Sequence, residues 1–288
     1  MSNVLSLSEV GEKDIGTVGV NAALLGELQQ RGYSVANGFV IPCHVIYIIT
    51  FLYKLMVDSA KLKNNVDQYL AEKGARAWKG QKQGEELDYS AVAESFLKEV
   101  LLAVERLDTS KFTVSPSLVT EKFETYSSLA VFSSYEVKME TLLEAIHERI
   151  KHFWNTKALL DNGIQHEYIN ESIDLAIILQ EHREGVAVIS YTYEQDKDAV
   201  YFEYGDSAAE LRGGYYGAQK LVMGNENQEL TSLLLTSNNR KFFEEIRNLH
   251  NEISNSLNRP IEICWNIGET PLITQIRVVK EEVKAFSI

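Results

Sequence analysis

The side chains that most often bind metals or act as nucleophiles are widely spaced in this chain. It contains six histidines and two cysteines among 288 residues. No histidines form an HExxH or HxH pair, and His147 and His152 lie five positions apart, which takes them off a single helical face. Cys43 and Cys264 form no CxxC pair. We therefore expect neither a zinc site nor a disulfide framework.

Two further catalytic patterns are missing from the sequence. The run RGGYYG at 212–217 contains two tyrosines and is not followed by Lys-Ser/Thr, which favours a turn over a phosphate-binding loop. No Gly-x-Ser-x-Gly motif occurs, so the sequence does not indicate a hydrolase of that kind.

The composition is that of a globular protein with an acidic surface. Hydrophobic residues make up 45% of the chain, and its length allows one large domain or two modest ones. The net charge of −13, from 41 acidic and 28 basic residues, disfavours a nucleic acid or an anionic membrane as the main partner. The first residues lack the basic and apolar regions of a signal peptide, so we expect a cytoplasmic protein.

The segment 40–57 is strongly apolar but is interrupted by Pro42, His44 and Lys54. A membrane-spanning helix needs about 20 nearly uninterrupted apolar residues. We therefore expect a strand that leads into a buried helix, and no membrane span. Because that helix is apolar on more than one face, it leaves room for a protein partner.

Hydrophobic periodicity predicts an α+β fold with a mixed first part and an antiparallel sheet with helices in the second. The predicted helices are 21–31, 45–70, 89–107, 140–160 and 240–257. The predicted strands are 34–41, 173–180, 185–193, 199–203, and a hairpin of 261–266 with 272–278 around Gly268.

Two segments near the N-terminus have a distinctive sequence. Residues 18–28 are VGVNAALLGEL, and residues 35–41 are VANGFVI. They resemble the opening of the phosphoenolpyruvate synthase and pyruvate phosphate dikinase family, which has a Gly-Gly-Lys-Gly turn, a helix ending in Leu-Gly-Glu-Leu and then Val-Pro-Pro-Gly-Phe-Val. The stretches 25–28 and 38–40 match that pattern.

Later motifs resemble the same family in the same order. LAIILQ at 175–180 resembles a strand ending in a glutamine at the adenine hinge, and Gly185-Val186 resembles the start of the next strand. Further similar motifs are Phe202-Glu203 followed by Glu210 and Gly213, PIEICW at 260–265, and TQIRV at 274–278. The resemblance covers most of the chain outside roughly 54–110.

The resemblance implies an ATP-grasp-like fold, with two subdomains and a cleft between them that holds ATP and Mg²⁺. It implies an N-terminal subdomain at 1–170 with a helical insertion near 54–110, and a C-terminal subdomain at 171–288 with an antiparallel sheet. In such a site lysine and arginine neutralise the triphosphate, and carboxylates hold the magnesium that bridges phosphate oxygens.

Three positions implied by the resemblance have lost their charge. Asn21 stands where the family has its phosphate-binding lysine, and Ser115 where it has the arginine of Ala-Val-Arg-Ser-Ser. Cys264 stands where it has a glutamate that binds magnesium, and a thiol is a poor ligand for that ion. The Gly-Leu-Gly turn of the family is Ser-Ala-Ala at 207–209 here.

Other positions keep a suitable side chain. The resemblance makes Gln180, Glu210, Gln275 and Arg277 candidates for nucleotide binding and Glu262 a candidate for metal binding. Glu262 and Arg277 have an equally simple interpretation as a local ion pair across an ordinary hairpin.

Three hypotheses follow. The first is a pseudoenzyme that keeps the ATP-grasp fold and acts by binding, as a regulatory, assembly or scaffold partner that senses a nucleotide. The second is an active ATP-dependent phosphotransferase half that works with a separate acceptor protein. The third is a pure interaction protein with a collapsed cleft.

The chain has neither the family's Thr-Ser-His signature nor length for a pyruvate-binding barrel, so it could not make phosphoenolpyruvate alone.

Overall fold

A computed structural model describes most of the elements predicted above. The described residues are 3–53, 98–107, 109–119, 135–159, 174–193, 196–205, 211, 219–224, 229–230, 237–268 and 270–278. Most of the expected insertion at 54–110 lies outside them, although residues 98–105 are helical. Within these ranges no helix is both long enough and apolar enough to cross a membrane.

The chain divides into two compact units. The first contains the described residues of 1–23, 37–121 and 135–181, and the second contains those of 24–36 and 182–288. The units are therefore not separated at one point in the sequence. Strand 174–181 belongs to the first unit. The subdomain boundary at 170/171 that the resemblance implies would instead assign this strand to the C-terminal subdomain.

The first unit is organised around an antiparallel sheet, which has five strands among the described residues. They are β1 (Leu5–Ser6), β2 (Gly38–Ile41), β3 (Lys111–Val119), β4 (Tyr135–Lys138) and β5 (Asp174–Glu181), in the order β1-β2-β5-β3-β4. The residues of β5 from 174 to 180 are all buried, and burial on both faces explains why residues 175–179 are a continuous apolar run.

Besides the helical residues 98–105, three α-helices contribute described residues to this unit. They are α1 (Ile15–Gln30), whose first residues belong here, α2 (Cys43–Tyr53) and α3 (Leu142–Leu159). On α3 the buried residues Leu142, Ile146, Ile150 and Phe153 recur every three or four positions, as an amphipathic helix requires. Strand β2 leads directly into α2, where residues 45–47, 49 and 50 are buried. The expectation of a strand followed by a buried helix is confirmed.

The second unit is built on another antiparallel sheet, with six strands among the described residues. They are β6 (Val186–Tyr193), β7 (Asp196–Gly205), β8 (Gln219–Gly224), β9 (Glu229–Leu230), β10 (Ile261–Ile267) and β11 (Pro271–Val278), in the order β11-β10-β6-β7-β8-β9. Helix α4 (Ser237–Leu257) packs on one face of this sheet, where the Phe243 ring meets Phe202 edge-on at 5.3 Å between centroids. The predicted helix at 240–257 and the hairpin of 261–266 with 272–278 are confirmed, as is the α+β class.

The strand predicted at 34–41 is divided in the structure. Val35 forms a parallel bridge with Ile273 of the second sheet, and the Ala36 amide donates to the Ile273 carbonyl at 2.9 Å. Strand β2 begins only at Gly38, in the first sheet. A Cβ atom at Gly38 would clash with the Leu179 carbonyl oxygen, so glycine allows the close approach to β5 at this point.

Candidate functional site

In the first unit, Ser115 and Gln180 lie on one face of the sheet. Ser115 is the register partner of Ile178 on β3 and β5, and Thr113 is the partner of Gln180. Since alternate residues of a strand share a face, Ser115 and Gln180 lie on the same side. Both are fully buried. A charged group could not replace Ser115 without repacking this region.

Asn21 lies near the start of α1, two residues after a break in that helix. Gly19 has φ +79°, which is in the left-handed region, so the regular turns of α1 begin again at Val20. The Ala22 amide donates to Ser117 Oγ at 3.0 Å in a buried contact. Ser117 therefore accepts from an amide that, at an uncapped helix start, would be available to an anion.

In the second unit, the candidate residues of β10 and β11 lie together. Glu262 is paired with Arg277, and Cys264 with Gln275, across the hairpin. The same register places Tyr191 beside Glu262 and Ile189 beside Cys264. We call this side, away from α4, the candidate face of the second sheet. A β-bulge interrupts the hairpin between Cys264 and Trp265, and Thr274 Oγ1 donates there to the Cys264 carbonyl at 3.2 Å.

Glu262 and Arg277 form a close ion pair. Arg277 Nη2 lies 2.6 Å from the Glu262 carboxylate, and the two side chains are only 21% and 12% exposed for Arg277 and Glu262 respectively. Burial alone would lower the pKa of Arg277, but the Glu262 charge and its hydrogen bond, with a smaller contribution from Cys264, leave that pKa raised. The guanidinium stays protonated, and Glu262 balances its charge.

Cys264 and Gln275 are buried beside this pair. Cys264 is fully buried in an apolar cluster with Ala187, Ile189 and Leu211, against which Tyr191 packs. Gln275 is 5% exposed. Within the described ranges, no group of three or more histidine, cysteine or acidic side chains is arranged to hold a metal ion. Of the four candidate residues on β10 and β11, Glu262 is the one that offers a hard oxygen ligand with a negative charge.

The structure thus brings Glu262, Cys264, Gln275 and Arg277 together on one face, and places Ser115 and Gln180 together in the other unit. Glu210, like the 207–209 turn, lies outside the described residues.

Glu203 was missed by the site prediction. It is the register partner of Ile189 on β7, which places it on the candidate face. Tyr191 donates to its carboxylate at 3.4 Å, and the Tyr191 and Tyr201 rings stack with centroids 5.6 Å apart. The available signal was the alternation of β7, which puts Tyr201 and Glu203 on one side of a predicted strand.

A buried polar group on the opposite face of this sheet was also missed. Trp265 Nε1 donates to Ser190 Oγ at 2.7 Å, and Ser190 Oγ lies 2.8 Å from His250 Nδ1. All three side chains are at most 2% exposed. Only the position of His250 in the apolar stripe of α4, between Ile246 and Ile253, was visible in the sequence.

No protein-family model and no curated protein matches this chain. The resemblance to the phosphoenolpyruvate synthase family consequently depends on the sequence motifs alone, which are 18–28, 35–41, 175–180, 185–186, 202–203 with Glu210 and Gly213, 260–265 and 274–278.

Proposed function

We propose that the protein is a catalytically degenerate relative of the ATP-binding half of phosphoenolpyruvate synthase. In this proposal it retains an ATP-grasp-like fold and acts by binding, as a regulatory, assembly or scaffold partner that senses a nucleotide. A separate protein is its partner, and phosphoryl transfer is not its activity.

The Glu262–Arg277 pair is the observation on which this proposal most depends. Both groups are mostly buried, and Nη2 is 2.6 Å from the carboxylate. A phosphate that recruited Arg277 would have to compete with Glu262, and a magnesium ion that recruited Glu262 would have to compete with Arg277. In either case the ligand must break the charge-assisted hydrogen bond between the two side chains, which costs about 1.5–3 kcal/mol. The pair therefore supports a structural role for two residues that catalysis would require.

The replaced positions support the same conclusion. Cys264 is buried among apolar side chains and Ser115 is fully buried in β3. Neither place supplies a charge to a triphosphate. Groups that act as a unit in catalysis are strongly non-additive, so loss of one can remove most of the rate.

A thermal-shift titration with ATP, with and without Mg²⁺, tests the proposal. A ligand at 100 times its Kd adds about 2.7 kcal/mol of stability, which is easily detected. We expect a shift with ATP that Mg²⁺ does not enlarge. A shift that requires Mg²⁺ would contradict the proposal and favour an active phosphotransferase half that works with a separate acceptor protein. No shift with any nucleotide would contradict nucleotide sensing.

A double variant provides the matched control. Glu262→Gln with Arg277→Gln removes both charges and keeps a polar side chain at both positions. We expect it to keep the ATP-induced shift of the wild type. Loss of that shift in a folded double variant would mean that the pair binds nucleotide.

A further inference from the structure

A buried chain of hydrogen bonds joins helix α4 to the second sheet. Its members, which we call the buried triad, are His250 on α4, Ser190 on β6 and Trp265 on β10. They are 0%, 0% and 2% exposed respectively. Since the triad links one helix to two neighbouring strands, its hydrogen bonding depends on α4 remaining docked.

The donors and acceptors of the triad have a definite order. The Trp265 indole can only donate, so Ser190 Oγ accepts its N–H. The Ser190 hydroxyl can then donate to His250 Nδ1, which places the proton of the neutral imidazole on Nε2. That Nε2 is buried and makes no hydrogen bond with any described residue. The neutral ring is tolerated there at the cost of one unsatisfied polar atom.

Among the described residues, none supplies a counter-charge to an imidazolium at this position. From the described parts of β6 and β10, the residues on the α4 side are apolar except for Ser190 and Thr192. Strand β7 adds Val200, Phe202 and Tyr204. On α4 the nearest charged residues in sequence are Arg247, which has the same sign as an imidazolium, and Glu252, which accepts a hydrogen bond from Tyr33 at 2.8 Å. Burial lowers the pKa of His250 to about 3.

We propose that the buried triad is an acid-sensitive latch that holds α4 on the second sheet. A proton from solvent on Nδ1 would remove the acceptor of the Ser190 hydroxyl and place a positive charge in an apolar interior. Opening of α4 would let water solvate that charge. Because the pKa of His250 in the closed state is below its ordinary value of 6.5, the open state binds the extra proton, and closure is lost as pH falls from 6.5 towards 3.

Hydrogen–deuterium exchange of the full-length protein tests the latch. The measured quantity is the protection factor of α4 amides, corrected at each pH for the intrinsic exchange rate. For one proton taken up on opening, we expect protection in the wild type to fall on the order of 100-fold between pH 7.5 and pH 4.5. Amides of β6 and β7 should lose much less over this range.

Two variants remove the titrating group in different ways. His250→Phe keeps a ring of similar size, and His250→Asn keeps an amide near the Nδ1 position. In either variant we expect the pH dependence of α4 protection to disappear, whatever its level at pH 7.5. A merely structural histidine would change that level and leave the pH dependence as in the wild type. His152→Asn on α3 is the matched control and should behave as the wild type.

Two results would overturn the latch. One is an unchanged pH dependence in either folded His250 variant. The other is an equal loss of protection in α4, β6 and β7, because that would mean the whole unit opens at once. If neither variant folds, the wild type still provides a test, because the latch requires a larger pH-dependent loss of amide protection in α4 than in β6.

Discussion

Arg277 and Glu262 face each other directly across the β10–β11 hairpin, so the loss of one partner removes from the other, which is mostly buried, an opposite charge 2.6 Å away. We expect Arg277→Met to lower the free energy of unfolding by about 1–3 kcal/mol, below the range for a fully buried pair because some exposure remains. Adding Glu262→Gln should recover most of that loss. Urea unfolding of the two single variants and the double variant measures it.

The exposed pair of Lys151 and Glu148 on α3 is a suitable control, since its side chains are 49% and 63% exposed. Lys151→Met should change the unfolding free energy by less than about 1 kcal/mol. An Arg277→Met variant as stable as Lys151→Met would show that the pair contributes no more than a surface ion pair.

Ser190 serves two buried partners at once. Ser190→Ala leaves the Trp265 indole N–H and His250 Nδ1 without the hydroxyl that both contact. We expect a loss of about 1–3 kcal/mol of unfolding free energy at pH 7.5. Ser8→Ala, at an exposed residue whose hydroxyl contacts Ser6, should cost less than about 0.5 kcal/mol. Equal unfolding curves for the two variants would contradict the importance of this hydrogen-bond chain.

At the scale of elements, the break in α1 at Gly19 lies directly against Ser117 of β3. Gly19 has φ +79°, and a side chain there would lie 2.5 Å from Ser117 Oγ and 2.7 Å from the Ser117 carbonyl carbon. The glycine therefore permits both an unusual backbone conformation and a close approach. Ser117 can then accept the hydrogen bond of the Ala22 amide.

Gly19→Ala should consequently destabilise the first unit by more than about 1 kcal/mol, through backbone strain and the clash with β3. Gly16→Ala is the matched control, because Gly16 is helical and a side chain there meets nothing within 4 Å. It should be neutral or stabilise by up to about 1 kcal/mol. Thermal unfolding distinguishes them, and a Gly19→Ala variant as stable as Gly16→Ala would contradict this account.

Local patterns were sufficient to predict α3, α4 and the β10–β11 hairpin, because each buries a face with a regular period. The same hairpin placed Glu262 near Arg277, since the two strands are close in sequence. The buried triad could not be predicted, because Ser190 meets His250 and Trp265 only after a helix and a strand pack on β6. The assignment of 35 and 38–41 to different sheets likewise depends on long-range pairing, which periodicity does not specify.

At the scale of the whole molecule, the excess of 13 negative charges opposes the approach of a triphosphate unless local cations offset it. Among the described residues at the implied site, Arg277 is the retained cation and it is paired with Glu262. The resemblance implies a lysine, an arginine and a glutamate at three further positions, but these are Asn21, Ser115 and Cys264 here. This balance is why we propose binding as the function and expect no phosphoryl transfer.

The most direct measurement is release of the γ-phosphate from Mg-ATP by the purified protein. It is made without an added acceptor, where water accepts the phosphoryl group, and again with pyruvate. We expect no turnover above the background of the Glu262→Gln/Arg277→Gln double variant. Turnover at the ordinary enzyme rates of about 1–10³ per second, dependent on Mg²⁺ and abolished in that double variant, would contradict the account.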